Sequence, residues 1–299
     1  MNSMKNIVFI ILVLIILAAI GAVGYFWQQT DILIKADNLS TSTLPPQRAQ
    51  IQESLPSSVM ITPAPNYQKP VDDAMIKFPV FNYHHIRPMP SLASSTITDR
   101  AFTVSPEGFE AHLKYFKDNG YQTVSIYDLL NYFDTGKPLP AKAIAITFDD
   151  GYYGQYKWAY PLLKKYGMNA TFFIIVNNVG KSGILTWGEI KEMSENGMFI
   201  GSHTLSHPNL AALSDEILKR ELEDSKKIIE EKISKKVDLL AYPGGNYNER
   251  VIQFAKDAGY QAALSVYKII EQTSKARFVI RRFHADDDLE SITGKLVGY

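Results

Sequence analysis

From Ile76 onward, short apolar runs alternate with stretches whose apolar residues recur at helical spacing. "AIAITF" over 143–148 has almost no polar break, so it reads as a strand buried on both faces. "FPVFNY", "NATFFIIV" and "MFIGSH" read as further strands, and "YQTVS", "VDLLAYP" and "YQAALS" as shorter ones. Between them lie helical patterns with start and stop signals. "SPEGFEAHLKYFKDNG" opens with Ser105 as a cap and Pro106 at the first helical position, and closes on Gly120. "TWGEIKEMSENG" places Thr186 and Glu189 in capping-box positions. "YKWAYPLLKKYG" is a helix that Pro161 disturbs, and "SDEILKRELEDSKKIIEEKI" is a long charged amphipathic one. "RFVIRRF" continues the alternation. Strand and helix in turn predict an α/β domain over 76–299: a parallel sheet with helical crossovers, as a barrel or a doubly wound sheet.

The first 75 residues follow a different pattern. After Lys5 no charge occurs from Asn6 to Thr30, and the run is strongly apolar. About twenty such residues span a bilayer core, so residues 1–30 read as a cytoplasmic tip and a transmembrane signal anchor. Lys5 on the short flank puts the N-terminus inside and the rest of the chain outside the cytoplasmic membrane. A cleaved signal peptide ending near "AVG" at 22–24 is the competing reading, which would leave a secreted protein. Residues 31–75 are rich in Pro, Ser and Thr and read as a linker.

Composition narrows the chemistry. The 31 basic and 31 acidic residues cancel, which gives no footprint for nucleic acid. There are no cysteines, so disulfides, thiolate metal sites and a Cys nucleophile are excluded. Any metal must be held by His, Asp or Glu.

Two stretches could hold one. "TFDDG" at 147–151 ends the buried strand on two adjacent carboxylates, Asp149 and Asp150. Asp and Gly are ordinary turn residues, but each carboxylate disfavours ionisation of the other unless a cation lies close by. "SHTLSHP" at 202–208 follows another strand and carries His203 and His207 four residues apart. Pro208 ends any helix there, so the pair belongs to a loop or one tight turn. Neutral imidazoles are common ligands of divalent transition metals. Two His and one carboxylate leave positions open for water and substrate, as in catalytic rather than structural sites.

"TFDDG" followed by "SHTLSHP" resembles the first two signature motifs of the polysaccharide deacetylase family, carbohydrate esterase family four, whose shared unit is the NodB homology domain. The resemblance covers roughly 76–299. It implies a distorted (β/α)7-type barrel in which Asp149 is the catalytic base and Asp150, His203 and His207 hold the metal. The ion is one divalent metal, Zn first, with Co or Ni suited to the same donors. "LLAYPGG" at 239–245 resembles the third motif: Pro243 and Gly245 match, Ala241 stands where many members have an Arg that orients the base, and Gly244 replaces an aromatic residue. That leaves the residue orienting Asp149 unassigned. Gly244 can still donate its backbone N–H to an oxyanion, beside Pro243 and Tyr242 in the substrate groove. "LTWGEI" resembles the segment with the fourth motif's Trp, so Trp187 lines the sugar groove or belongs to the core.

The general acid has two candidates. His284 in "RRFHADD" occupies the late position usual in the family. "FNYHHI" at 81–86 resembles the first strand of the branch that deacetylates poly-N-acetylglucosamine, where the acid His comes from this strand, and this favours His84. His85, one residue along a strand, should then face the other way as a core or supporting His. In that branch a late Arg precedes the last strand, a place that Arg282 fits. His112, in a helix, is taken as structural. The resemblance thus implies hydrolysis of N-acetyl groups from an extracellular N-acetylglucosamine polymer, with the polysaccharide and the membrane as partners. Peptidoglycan or chitin-oligomer deacetylation, O-acetyl esterase activity of the xylan type, and a silent glycan-binding domain are the alternatives.

Overall fold

The computed structural model describes residues 67–299 apart from 72, 94, 267 and 268. The anchor read over 1–30 and most of the linker read over 31–75 lie outside the described residues. Among the described residues no helix is long and apolar enough to cross a membrane. The end of the linker stretch packs on the domain: a Cβ added to Gly136 would meet the Gln68 carbonyl oxygen at 1.9 Å.

The main sheet has eight strands: β1 (Val80–Tyr83), β2 (Gln122–Thr123), β3 (Ala143–Phe148), β4 (Thr171–Ile174), β5 (Phe199–Ser202), β6 (Leu239–Ala241), β7 (Ala262–Leu264) and β8 (Phe283–His284). Their order is β7-β6-β5-β4-β3-β1-β8, with β2 also paired to β3, and all pairings are parallel. Six helices of seven or more residues connect them: α1 (Pro106–Asp118), α2 (Ile126–Thr135), α3 (Tyr160–Tyr166), α4 (Trp187–Glu195), α5 (Asp215–Ile233) and α6 (Glu249–Asp257). Ser105 caps α1, and Ser125 with Asp128 and Thr186 with Glu189 form capping boxes on α2 and α4. Each such cap contributes about 1 kcal/mol to its helix.

The sheet curls into a parallel α/β barrel whose two ends meet only at one short segment. Ile280 makes a single parallel bridge to Leu264 of β7, and three residues later β8 pairs with β1. "RFVIRRF" is therefore not a regular strand. It is a 3₁₀ turn (Arg277–Val279) followed by a segment that crosses the gap between the ends of the sheet, with Arg282 in the middle. Around Pro161 the chain stays helical, and the irregularity is a π-turn over Gln155–Ala159 just before α3.

The period of two in β3 sorts its side chains. Ile144, Ile146 and Phe148 pack outward with Phe109 and Phe116 of α1, Leu163 of α3 and Phe172 of β4. Ala143 and Ala145 point to an inner cluster with Val80, Phe173, Leu239, Ala241, Leu264 and Ile280, which Ile126, Leu129 and Phe133 of α2 join. On β3 the inward residues are small and the outward ones large, and polar side chains take the C-terminal ends of the strands, where α/β barrels keep their chemistry.

Candidate active site

Asn82 and Thr147 occupy the same inward positions as Val80 and Ala145 on β1 and β3, and Asp149 follows two residues after Thr147. The Asp149 N–H donates to Tyr83 O at 3.0 Å, which extends the ladder past the strand end and sets Asp149 beside His84. Asp150 then turns back with φ of 73°, in the left-handed region that Asp tolerates better than most residues. The loop after β5 uses the same device: Thr204 and His207 have φ of 69° and 62°. Glu221 of α5 holds this loop. Its carboxylate accepts from the Leu205 and Ser206 N–H groups at 2.9 and 3.0 Å and from the Ser206 hydroxyl at 2.6 Å.

Asp150, His203 and His207 converge as expected. One ligand atom from each lies within 4.8 Å of the others. His203 Nε2 is 3.5 Å and His207 Nε2 3.8 Å from Asp150 Oδ1. His203 Nδ1 lies 2.8 Å from Ala241 O, and since a carbonyl only accepts, the proton belongs on Nδ1. Its Nε2 lone pair then faces a carboxylate oxygen. Burial pushes the pKa of both imidazoles down and that of Asp150 up. Neutral imidazoles and an acceptor-only carboxylate turned toward one point form a set that a divalent cation satisfies. Tyr152 hydrogen-bonds Asp150 as well.

Asp149 is 3% exposed and held on both oxygens. Arg282 donates from Nη1 to Oδ1 at 2.7 Å and from Nη2 to Oδ2 at 2.8 Å, and Asn82 Nδ2 donates to Oδ2 at 3.0 Å. Arg282 is itself 1% exposed, and its other bonds go to Ser265 O, Asn82 Oδ1 and Thr147 Oγ1. Burial would raise the Asp149 pKa, but the Arg282 guanidinium and His203 outweigh it and hold the carboxyl well below the usual range. The Arg absent at Ala241 is thus replaced from the segment that closes the barrel. Gln155 donates to the backbone oxygens of Asp149 and His84 at 2.6 and 3.0 Å and clamps the two strand ends together.

His84 Nε2 lies 4.0 Å from Asp149 Oδ2. Its Nδ1 is buried with no hydrogen-bond partner among the described residues, and its ring meets Phe102 edge-on at 4.6 Å. Burial lowers its pKa to about 3 against the pull of Asp149, so the imidazole is neutral at pH 7. His284 sits 5.6 Å from His84 ring to ring, but its Nε2 is 2.7 Å from Ala101 O.

A cavity of about 550 Å³ opens over these groups, with Tyr242, Gly244 and Gly245 on one wall and His84, Phe102 and His284 on another. Gly244 and Gly245 have φ of 60° and 73° in the turn opened by the buried Pro243. One expectation needs correction, and one open choice closes. His85 does not turn away from the site, because β1 ends at Tyr83 and the alternation breaks there; it stacks on Tyr152 at 3.6 Å along the cavity edge. Trp187 opens α4 and packs against the outer core instead of lining the cavity. His112 is structural as expected, fully buried against the Tyr83 hydroxyl at 3.2 Å.

Asn82, Thr147, Tyr152, Gln155 and Glu221 escaped the sequence reading. Asn82 and Thr147 carried a signal, as polar residues in otherwise apolar strands. Glu221 looked like one more charge on a charged helix, and nothing local marked Gln155.

The polysaccharide deacetylase family pattern matches residues 136–263. Over 246 residues the chain is 34% identical to the polysaccharide deacetylase YxkH of Bacillus subtilis (strain 168), covering 79% of this chain and 85% of that one. This chain belongs to the polysaccharide deacetylase family. It is also 28% identical over 239 residues to the poly-beta-1,6-N-acetyl-D-glucosamine N-deacetylase of Staphylococcus aureus (strain MRSA252), covering 73% and 82% of the two chains. Among solved structures it resembles the Streptococcus pyogenes deacetylase PplD in complex with acetate, with TM-score 0.68 and 27% identity over 74% of this chain and 99% of that one. As a polysaccharide deacetylase the chain is a hydrolase. The 136–263 match takes in Asp149, Asp150, His203 and His207 and leaves out Asn82, His84 and Arg282.

Proposed function

We propose that this protein removes N-acetyl groups from an extracellular N-acetylglucosamine polymer, of the poly-N-acetylglucosamine kind, in a metal-dependent reaction that releases acetate. The observation that carries this reading is the Asp150, His203 and His207 cluster beside a separate carboxylate, Asp149, held on both oxygens by Arg282. The polymer is suggested by the similarity to the S. aureus enzyme and by the "FNYHHI" strand.

Asp150, His203 and His207 would hold a divalent ion, Zn first among Zn, Co and Ni, which when bound would supply Lewis acidity toward the acetamide carbonyl and acidify a water. The protein's own groups do the rest. The Arg282 guanidinium favours the ionised form of Asp149, which accepts the proton of the attacking water on Oδ2, the oxygen facing His84 and His203. Arg282 and Asn82 keep that carboxylate from rotating. The Gly244 N–H, on the cavity wall, donates to the oxyanion. His84 delivers a proton to the leaving nitrogen, because an amide anion is too basic to leave. Neutral in the resting protein, His84 receives that proton within the cycle from Asp149, so the proton count closes. His284 supports the ring of His84 through Phe102, against which both imidazoles pack.

The reading includes the location. The uncharged run from Asn6 to Thr30 anchors the chain, and the catalytic domain works outside the cytoplasmic membrane.

The test is acetate release by the full chain from poly-β-1,6-N-acetylglucosamine, chitin oligomers, peptidoglycan and acetylated xylan, with Zn added or with chelator. Zn-dependent release that is fastest on the first polymer is the expected result. Release from xylan alone would make the protein an O-acetyl esterase, and release from none would leave a glycan-binding domain.

A further inference from the structure

β1 and β3 run in parallel register as far as Tyr83 and Phe148, and the bond from the Asp149 N–H to Tyr83 O is the last rung between them. In that register the next rung would join the His85 N–H to Asp149 O. It is not made. The His85 N–H donates instead to Phe102 O at 3.0 Å, where His85–Ile86 leaves the sheet to pair with Thr103–Val104. The ladder therefore splits between the two candidate reacting groups, with His84 on one branch and Asp149 on the other.

The Gln155 side chain takes the place of the missing rung. Its Nε2 donates to Asp149 O at 2.6 Å and to His84 O at 3.0 Å. Both partners are carbonyl oxygens, which only accept, so the amide nitrogen and not Oε1 must face them. The two N–H groups of that nitrogen serve one branch each. Gln155 is fully buried and its Oε1 has no partner among the described residues, so the site uses only its two donors. The local chain aims it there. The Tyr160 N–H reaches back five residues to Gln155 O and makes this a π-turn, an insertion frequent at functional positions. The preceding Gly154 lies against the branch that carries His84: a Cβ there would meet Ile86 O at 1.9 Å.

The Asp149 carboxylate has Arg282 and Asn82 to hold it, whereas His84 has no such holders. Its Nδ1 has no hydrogen-bond partner among the described residues, and its ring is steadied by edge-on contact with Phe102. The 4.0 Å between His84 Nε2 and Asp149 Oδ2 thus depends on the backbone beneath each. We infer that Gln155 is a positioning residue: it stands in for the absent rung where β1 and β3 part, and sets the spacing of the candidate acid and the candidate base. The inference rests on the proposed function and adds a residue that does not line the catalytic cavity. The Gln155 amide bonds neither Asp150 nor the two metal-site imidazoles, so its loss falls on kcat and leaves KM and Zn affinity in place.

The experiment compares the Zn-loaded full chain with Gln155→Met, which keeps the length and removes both donors, and with Gln155→Asn, which draws the amide back by one methylene. Leu163→Ala, a cavity in the outer core on α3, is the control for lost stability alone. On poly-β-1,6-N-acetylglucosamine both Gln155 variants should lose about 10- to 100-fold in kcat, the scale of a 1 Å misplacement, with KM and Zn affinity within about 2-fold of the parent. Leu163→Ala should lower the thermal midpoint and keep kcat. A crystal structure of Gln155→Asn should show a His84–Asp149 separation different from the parent's. Parent-like kcat in either folded Gln155 variant, an unchanged separation, Zn affinity falling in step with kcat, or an equal loss of kcat in Leu163→Ala would overturn the inference alone. No acetate from the parent protein would overturn the proposed function and this inference with it.

Discussion

Arg282 and Asp149, 133 residues apart in the chain, meet inside the barrel through two charge-assisted hydrogen bonds of 2.7 and 2.8 Å. Neither side chain is more than 4% exposed. This pair joins the segment that closes the barrel to the strand end that carries the candidate base. Closure of the fold and orientation of the carboxylate are therefore one event. Removing one member strands the other as a buried charge, which costs about 3–5 kcal/mol. Arg282→Ala should lower stability by that amount in a denaturant titration and remove activity. Arg282→Lys, with one ammonium in place of a planar fork, should also lose most turnover, about 100-fold in kcat. Parent-like kcat in Arg282→Lys would show that the fork is not what orients Asp149.

Metal binding is separable from the base. Asp150→Ala and His203→Ala should lose bound divalent ion and activity together. Adding Zn should raise the thermal midpoint of the parent protein and leave these two variants unmoved, because only a state that binds the ion is stabilised by it. Stoichiometric ion in dialysed Asp150→Ala would contradict the assigned ligand set.

The two candidate acids predict different outcomes. His84 lies 4.0 Å from Asp149, while the His284 ring nitrogen is engaged with the Ala101 carbonyl oxygen. His84→Ala should lower kcat by about 10²- to 10⁴-fold while retaining its ion. His284→Ala should stay within about 10-fold of the parent. The reverse ranking would move the acid role to His284.

Glu221 is not among the residues lining the catalytic cavity, yet it sets the loop between His203 and His207 through three hydrogen bonds. Glu221→Ala should weaken Zn binding by about 10- to 100-fold in a chelator competition. Glu221→Gln can keep all three bonds, since its carbonyl accepts from the two N–H groups and its amide donates to Ser206, so its affinity should stay near the parent's. Leu218→Ala, which opens a cavity in the same helix, should lower the thermal midpoint without moving the Zn affinity. Equal Zn affinity in Glu221→Ala and the parent would remove the positioning role.

Much of this molecule is local information. Strand and helix alternation, the caps at Ser105 and Thr186, and the end of β3 on two carboxylates are set by period, propensity and turn chemistry within a few residues. The candidate metal ligands were legible because Asp150, His203 and His207 sit at strand ends, and strand ends gather at one mouth of any parallel barrel. His85 was misread because the period of two holds only while the strand lasts, and pairing decides where a strand stops. Trp187 was ambiguous because an aromatic residue at a helix start suits a groove and a core equally well. Arg282 as the holder of Asp149, Asn82 beside it and Glu221 under the loop follow from tertiary contacts alone. Hydrogen bonds between residues far apart in sequence depend on barrel closure and strand register. No pattern within a single segment encodes either, so the chain by itself named the reacting groups and only the closed barrel decided what holds them in place.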